Sequence, residues 1–157
     1  HQRILYEEFL QNITVKEGVS QQLLFPLGLE FTTTEIEILK GLKEQLEQAG
    51  FLFSKLDKKV ELKGIPLNMT ESLVSNALER LINDVQNEVP DSNFSQSDML
   101  AKSLAKSLAI KNGKRLSIPE QENLVNSLFA CKEPNTTPHG RVTFITMNVE
   151  DLDKKFK

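Results

Sequence analysis

Soft ligands are scarce in this sequence: one Cys and two His in 157 residues. A single Cys excludes an intramolecular disulfide framework and fits a reducing compartment. With Cys131, His1 and His139 as the whole supply, a Cys-rich zinc module is excluded too, although carboxylates plus one His would still make a site. There is no Gly-rich phosphate loop, no Gly-x-Ser-x-Gly elbow and no Cys-x-x-Cys. Apolar runs never approach the roughly 18 residues of a membrane span, and the start does not read as a signal peptide, so no membrane partner is expected. Neither sign of charge dominates: 19 Lys and Arg face 22 Asp and Glu, a net charge of −3. That balance gives no global drive towards nucleic acid or anionic lipid and leaves room only for a local basic patch.

What is present suits a folded chain of one compact domain or two small lobes, because 39% of its residues are hydrophobic. Ile4, Leu5, Phe9 and Ile13 keep helical spacing from the first residues with no capping residue before them. The sequence therefore reads as a fragment of a longer chain, entered inside a helix. Gln22 to Phe31 is an apolar stretch that predicts a buried strand, with Pro26 and Gly28 marking an edge, a bulge or a close contact. Thr34 and Glu37 have capping-box spacing. The helix they would open carries Ile36, Leu39, Leu42 and Leu46 and ends at Gly50. Phe51 to Asp57 and Val60 to Ile65 predict two strands around Lys58 and Lys59.

After Pro66 the pattern turns helical. Leu73, Val74, Ala77, Leu78, Leu81, Ile82 and Val85 form one apolar stripe. Pro90 to Asn93 predicts a loop, and Ser95 to Asp98 a cap before Leu100, Leu104 and Leu108. Ser117, Pro119 and Glu120 start a third helix, whose core side would be Leu124, Val125, Leu128 and Phe129. A loop over Glu133 to Gly140 then leads to a strand expected over Arg141 to Met147, with Val142 and Phe144 buried, and to a last helix, Val149 to Phe156, capped by Asn148. The fold class is α+β. Residues 1–66 and 138–157 would form a mixed sheet-and-helix lobe, and residues 68–132 an inserted all-helical lobe.

Four strings carry candidate chemistry. Pro138-His139-Gly140-Arg141 is a tight turn that can aim an imidazole at a metal or a proton; its ordinary reading is a turn histidine. Gln2, Arg3, Tyr6, Glu7 and Glu8 put acids on a helix that could ligate a divalent ion or simply form a solvated face. Gln21-Gln22-Leu23-Leu24-Phe25-Pro26 could add to a partner's groove, with Leu24 and Phe25 filling an apolar pocket, or be a core strand. Lys102, Lys106, Lys111, Lys114 and Arg115 concentrate positive charge that could contact DNA phosphates. No aromatic residue interleaves with these bases, which removes support for stacking on single strands, and a solvated helix face is the ordinary alternative. Cys131 reads as a small buried hydrophobe.

Taken in order, these strings resemble one family. His-Gln-Arg-Ile-Leu-Tyr-Glu at residues 1–7 resembles the helix that opens the C-terminal domain of bacterial MutL mismatch-repair proteins. Gln22 to Pro26 falls where that family has its first strand, and Ser117, Pro-His-Gly-Arg and Asp151 to Phe156 follow in the family's order. The resemblance implies a dimerisation lobe (1–66 and 138–157) carrying a helical regulatory insertion (68–132). It also implies a homodimer, a mismatch-recognition protein and DNA as partners of the full-length protein, and a cytoplasmic, nucleoid-associated location. Gln21, Gln22, Leu24, Phe25 and Pro26 resemble the family's sliding-clamp-binding motif.

Many members also nick DNA with a zinc site that works with manganese or magnesium, whose ions generate the attacking hydroxide and stabilise charge on the phosphate. Carried over residue by residue, that site is depleted here. Its two helix Glu fall on Gln2 and Glu7, and its two Cys on Lys106 and Thr137. Glu7 and His139 alone survive, and an ammonium at Lys106 cannot ligate while charged. Cys131 is the only thiol that could substitute. The expectation is a degenerate, inactive site with no cofactor; the alternative is a metal-dependent nicking endonuclease that binds Zn or Mn through Glu7 and His139.

Overall fold

A computed structural model describes residues 1–88 and 93–156, with the side chains of 93 and 94 left aside. The order is α1 (Gln2–Val15), β1 (Ser20–Leu29), α2 (Thr33–Gly41), α3 (Lys43–Gln48), β2 (Leu52–Leu56), β3 (Val60–Pro66), α4 (Glu71–Asn87), α5 (Asn93–Leu108), α6 (Ile118–Ala130) and α7 (Val149–Phe156). The fold is α+β, as the pattern predicts.

Each early element follows from its residues. On α1, Leu5, Phe9 and Ile13 recur at four-residue spacing and are buried as one stripe. Three consecutive Thr offer two possible capping boxes before α2, and the structure uses the earlier one. Thr32 Oγ1 accepts from Glu35 N at 3.3 Å and Glu35 Oε2 accepts from Thr32 N at 2.7 Å. The box expected at Thr34 and Glu37 is therefore displaced, and Glu37 pairs with Lys40 instead. Starting at Thr33 still turns Ile36 and Leu39 inward. The single helix expected through Leu46 breaks at Leu42 into α2 and α3, but Leu42 and Leu46 both stay buried. Gly50 closes the segment with φ 107, and a Cβ there would lie 2.7 Å from the Val19 carbonyl oxygen, so no other residue fits without strain.

β2 and β3 form an antiparallel hairpin, and β1 pairs antiparallel with the other side of β3, giving the order β1-β3-β2. β3 is thus central, and Val60, Leu62 and Ile65 are buried. β1 is an edge strand with its register interrupted between Gln22 and Leu27. Its expected burial is corrected accordingly: Leu24 is 88% and Phe25 76% exposed. The break falls around Pro26, which has no N–H to give a ladder and is tolerated at edges and bulges.

The apolar stripe of α4 is buried at Val74, Ala77, Leu78, Leu81 and Ile82, and α5 contributes Leu100, Ala101, Leu104 and Ala105. One continuous core joins these residues to α1, α2, α3 and β3. Asn93 is already helical, and the Ser95 to Asp98 segment expected to cap α5 lies inside it. The rest of the loop expected over Pro90 to Asn93 lies outside the described residues.

Two expectations fail towards the end of the chain. α6 begins as expected, with Glu120 Oε2 accepting from both the backbone and the hydroxyl of Ser117 at 2.7 Å. None of its residues is buried, however, and Val125 and Phe129 are exposed. Arg141 to Met147 is not a strand within the chain: a single bridge, Thr136 to Val142, is all the pairing it makes among the described residues. Val142 and Ile145 stay exposed. Apolar periodicity marks a face that wants burial without saying whether the cover belongs to the same chain.

The central packing can be tested directly. Leu104→Ala empties a fully buried position on α5 and is expected to lower the unfolding free energy by about 2–5 kcal/mol in urea titrations.

Candidate functional site

The polar side of α1 is not a solvated face. Arg3 is 6% exposed, although guanidinium groups are rarely buried without partners. Its Nε donates to the Thr136 carbonyl oxygen at 2.6 Å, and its Nη atoms lie 3.6 Å from Glu7 and from Glu133. It also lies 5.2 Å from the Tyr6 ring centroid. The Glu7 carboxylate accepts from the backbone N–H groups of Lys132 at 2.7 Å and Glu133 at 3.1 Å. One turn of α1 thereby holds the chain as it leaves α6. On the α5 side, Tyr6 donates to Asp98 at 2.6 Å, and Lys102 binds the same carboxylate at 2.7 Å. Burial, then this bond, raises the Tyr6 pKa well above the usual phenol range. His1 Nδ1 accepts from Ile110 N at 2.9 Å.

Pro138-His139-Gly140-Arg141 forms a small hairpin loop. Thr137 N donates to Arg141 O at 2.7 Å and Gly140 N to Thr137 O at 3.0 Å. Gly140 has φ 78, the left-handed conformation that a three-residue loop of this kind needs. The loop carries His139 on an exposed tip. Desolvation lowers the His139 pKa, and Lys106, Lys102 and Arg141 lower it further. Three cations thus outweigh the one opposing charge near the imidazole, Asp84.

These residues do not fit a divalent metal. Both Glu7 oxygens are committed to backbone N–H groups and Arg3. The Cys131 thiol donates to the Ser127 carbonyl oxygen at 3.4 Å, and burial, then the Glu7 charge, pushes its pKa up, away from the thiolate that ligates. Among the described residues no group of three or more His, Cys, Asp and Glu is placed to hold a metal ion. Glu7 and His139, paired in the endonuclease alternative, serve different neighbourhoods: Glu7 the start of the loop after α6, His139 the Lys-rich side of α5.

On β1 the clamp-like string splits in two. Gln21 Nε2 donates inward to the Met69 carbonyl oxygen at 2.6 Å, whereas Gln22, Leu24, Phe25 and Pro26 are exposed. Gln21, Gln22 and Leu24 line a groove of about 590 Å³ together with Leu67 and Met69.

Of the five basic candidates, Lys102 is paired with Asp98. Lys114 and Arg115 follow the turn after α5. Lys106 and Lys111 share a groove with Arg80 of α4. Arg80 was not singled out by the sequence, because only the packing of α4 on α5 brings it there. Arg3 was placed on a solvated face because no periodicity distinguishes a buried guanidinium from an exposed one.

Comparison with known proteins bears on this geometry. The family model for the MutL C terminal dimerisation domain matches residues 1–116. A DNA mismatch repair protein MutL of Flavobacterium johnsoniae is 54% identical over 157 residues, covering 99% of this chain and 24% of that protein. One from Christiangramia forsetii is also 54% identical, over 99% of this chain and 25% of its own length. One from Bacteroides fragilis is 34% identical over 100% of this chain and 25% of its own length. The chain spans about a quarter of the length of the curated relatives it matches.

The charge around His139 makes a prediction with a definite sign. A native imidazole that resists protonation leaves the unfolded chain the better proton acceptor below its ordinary pKa of 6.5. The His139 contribution to stability is then flat above about pH 6.5 and declines as pH falls through that value. In NMR titration His139 is expected to titrate below 6.5 and to move upward in Lys106→Ala. His139→Asn removes its share of the acid-side decline.

Proposed function

The chain belongs to the MutL C-terminal dimerisation-domain family, and from that premise we propose that it joins two copies of a DNA mismatch repair protein into a homodimer. One observation carries this reading: the apolar side chains along the arm of residues 118–156, Ile118, Val125, Phe129, Val142, Ile145, Val149, Leu152 and Phe156, are left exposed by the rest of the described chain. Val149, Leu152 and Phe156 form a stripe along α7, and all three are exposed. An isolated helix this short is marginal in water without a surface to pack on. Ile145 is 75% and Val149 74% exposed. Phe129 of α6 meets Phe144 with ring centroids 5.0 Å apart, so α6 and the extended segment form one apolar surface rather than scattered residues. Between Thr143 and Asn148, whose backbone groups bond within the chain, the backbone of residues 144–147 forms no hydrogen bond among the described residues and can meet a neighbouring strand. A second copy of the same arm satisfies both needs.

Within this proposal, residues 1–66 and 138–157 serve dimerisation and residues 68–132 regulation, with α6 of that second segment adding its apolar side to the dimer surface, while α4 and α5 share one core with α1, α2, α3 and β3. Edge strand β1 is the docking surface for the replication sliding clamp. Leu24 and Phe25 are apolar anchors held out on an irregular strand, the form in which a short segment enters a partner's groove. Gln21 braces that strand through Met69, and Gln22 stays exposed to bond a rim. The metal site is degenerate and the domain does not nick DNA: Lys106 contributes a cation, and the Glu7 oxygens are already engaged. The mismatch-recognition protein and DNA are reached through the full-length protein, at the bacterial nucleoid.

Sedimentation at micromolar concentration is expected to show a dimer, and Ile145→Asp with Val149→Asp a monomer of unchanged helix content. A parent chain that sediments as a monomer would count against the reading. For the clamp, Leu24→Ala with Phe25→Ala is expected to weaken affinity roughly tenfold or more, the loss typical of removing buried anchors. Unchanged affinity in fluorescence titration removes β1 from the proposal.

A further inference from the structure

The groove between α4 and α5 differs in character from the rest of the surface. It has a volume of about 380 Å³, and Arg80, Lys106 and Lys111 stand along it with Asn76, Asn83 and Ser107. None of the three cations forms an ion pair among the described residues, in contrast to Lys102 beside them. One acid, Glu79, lines the same groove, and it accepts from the Ser75 hydroxyl at 2.9 Å. Three unpaired cations on one groove run against the net charge of −3. Ser107 forms part of the wall, and its hydroxyl oxygen is buried without a hydrogen-bond partner. Beyond Lys106 lie His139 and Arg141, with the Asp84 carboxylate as the opposing charge on that side.

We infer that this groove binds the phosphodiester backbone of duplex DNA through Arg80, Lys106 and Lys111. The inference rests on the mismatch-repair membership for the identity of the polyanion. It also revises the candidate set taken from the sequence: Arg80 enters from α4, Lys102 is occupied by Asp98, and Lys114 with Arg115 lies beyond the groove. Cations and amides without base-reading geometry suit phosphate oxygens and carry no sequence preference. No aromatic side chain lines the groove, which disfavours the stacking platform that single strands use. Where a nucleolytic relative would need a metal to meet phosphate, this chain meets it with its own ammonium and guanidinium groups.

The test uses the 157-residue chain and a labelled DNA duplex in fluorescence anisotropy across a salt series. The triple variant Arg80→Ala, Lys106→Ala, Lys111→Ala is expected to lose roughly tenfold or more in affinity at low salt. Its salt slope should shrink by about two to three, near the 0.9 per phosphate contact of duplex DNA. A charge-matched triple on the hairpin, Lys58→Ala, Lys59→Ala, Lys63→Ala, is expected to bind within about twofold of the parent, since long-range charge alone is screened. Equal losses in both triples, or none in the groove triple, overturn the inference; tighter binding of a single strand of the same charge overturns the assignment to duplex. Sedimentation of the groove triple separates the two proposals: a dimer that has lost DNA affinity leaves dimerisation standing, and a monomeric parent that still binds DNA leaves the groove standing.

Discussion

The burial of one helix face governs the molecule. Leu5, Phe9 and Ile13 of α1 pack into the core that Leu100, Ala101, Leu104 and Ala105 of α5 complete. Small Ala residues on α5 let the two helices approach closely, and each apolar side chain removed from water contributes on the order of 1.5–3 kcal/mol. Everything with chemical character is arranged around that contact. The same two helices carry Tyr6, Asp98 and Lys102 in one hydrogen-bonded row, and Lys106 lies one turn further along α5. If α1 were lost, α5 would have no floor, the groove it shares with α4 would have no fixed width, and the loop bearing His139 would have no anchor.

Polar groups then specify what apolar burial leaves open. A hydrophobic stripe fixes which face of α1 points inward, but it does not fix where the chain goes after α6. Arg3 and Glu7 do that, with directional bonds to Thr136, Lys132 and Glu133. Charge-assisted bonds in a partly buried setting are stronger than neutral ones and exacting in geometry. While Glu8 on the next position stays exposed, their use as fasteners engages the Glu7 carboxylate. The same carboxylate that would bind a cation in a nuclease is satisfied here by backbone N–H groups.

Much of the fold was legible because it follows from local rules. The stripe on α4, the two strands about Lys58 and Lys59, the box at Ser117 and the bounds of α7 all come from spacing and capping that neighbouring residues enforce. The misreadings share one cause. Thr32 rather than Thr34 caps α2, and local spacing could not choose between them, because Thr32 with Glu35 and Thr34 with Glu37 are equivalent boxes that both leave Ile36 and Leu39 on one face. Arg141 to Met147 looks like a core strand, yet β1 and β2 already flank β3. Arg3 was invisible because Thr136 and Glu133, which help to bury it, lie far along the chain, and Arg80 because only the packing of α4 on α5 sets it beside Lys106. Of the candidate site, the turn at His139 and Gly140 was legible from its residues, and the engagement of Glu7 by the backbone of Lys132 and Glu133 was not, because those groups lie more than a hundred residues away.

The bracing of the 131–136 segment by Arg3 and Glu7 has a mechanical consequence. α6 and α7 belong to the arm that presents the apolar surface, and the chain between them is bolted to the first turns of α1. A pull on that arm is therefore delivered to the N-terminal end of α1 and through it to α5, instead of being absorbed by a slack connector. The segment between the two arm helices is in that sense a strut and not a slack tether, since its backbone is fastened at Lys132, Glu133 and Thr136.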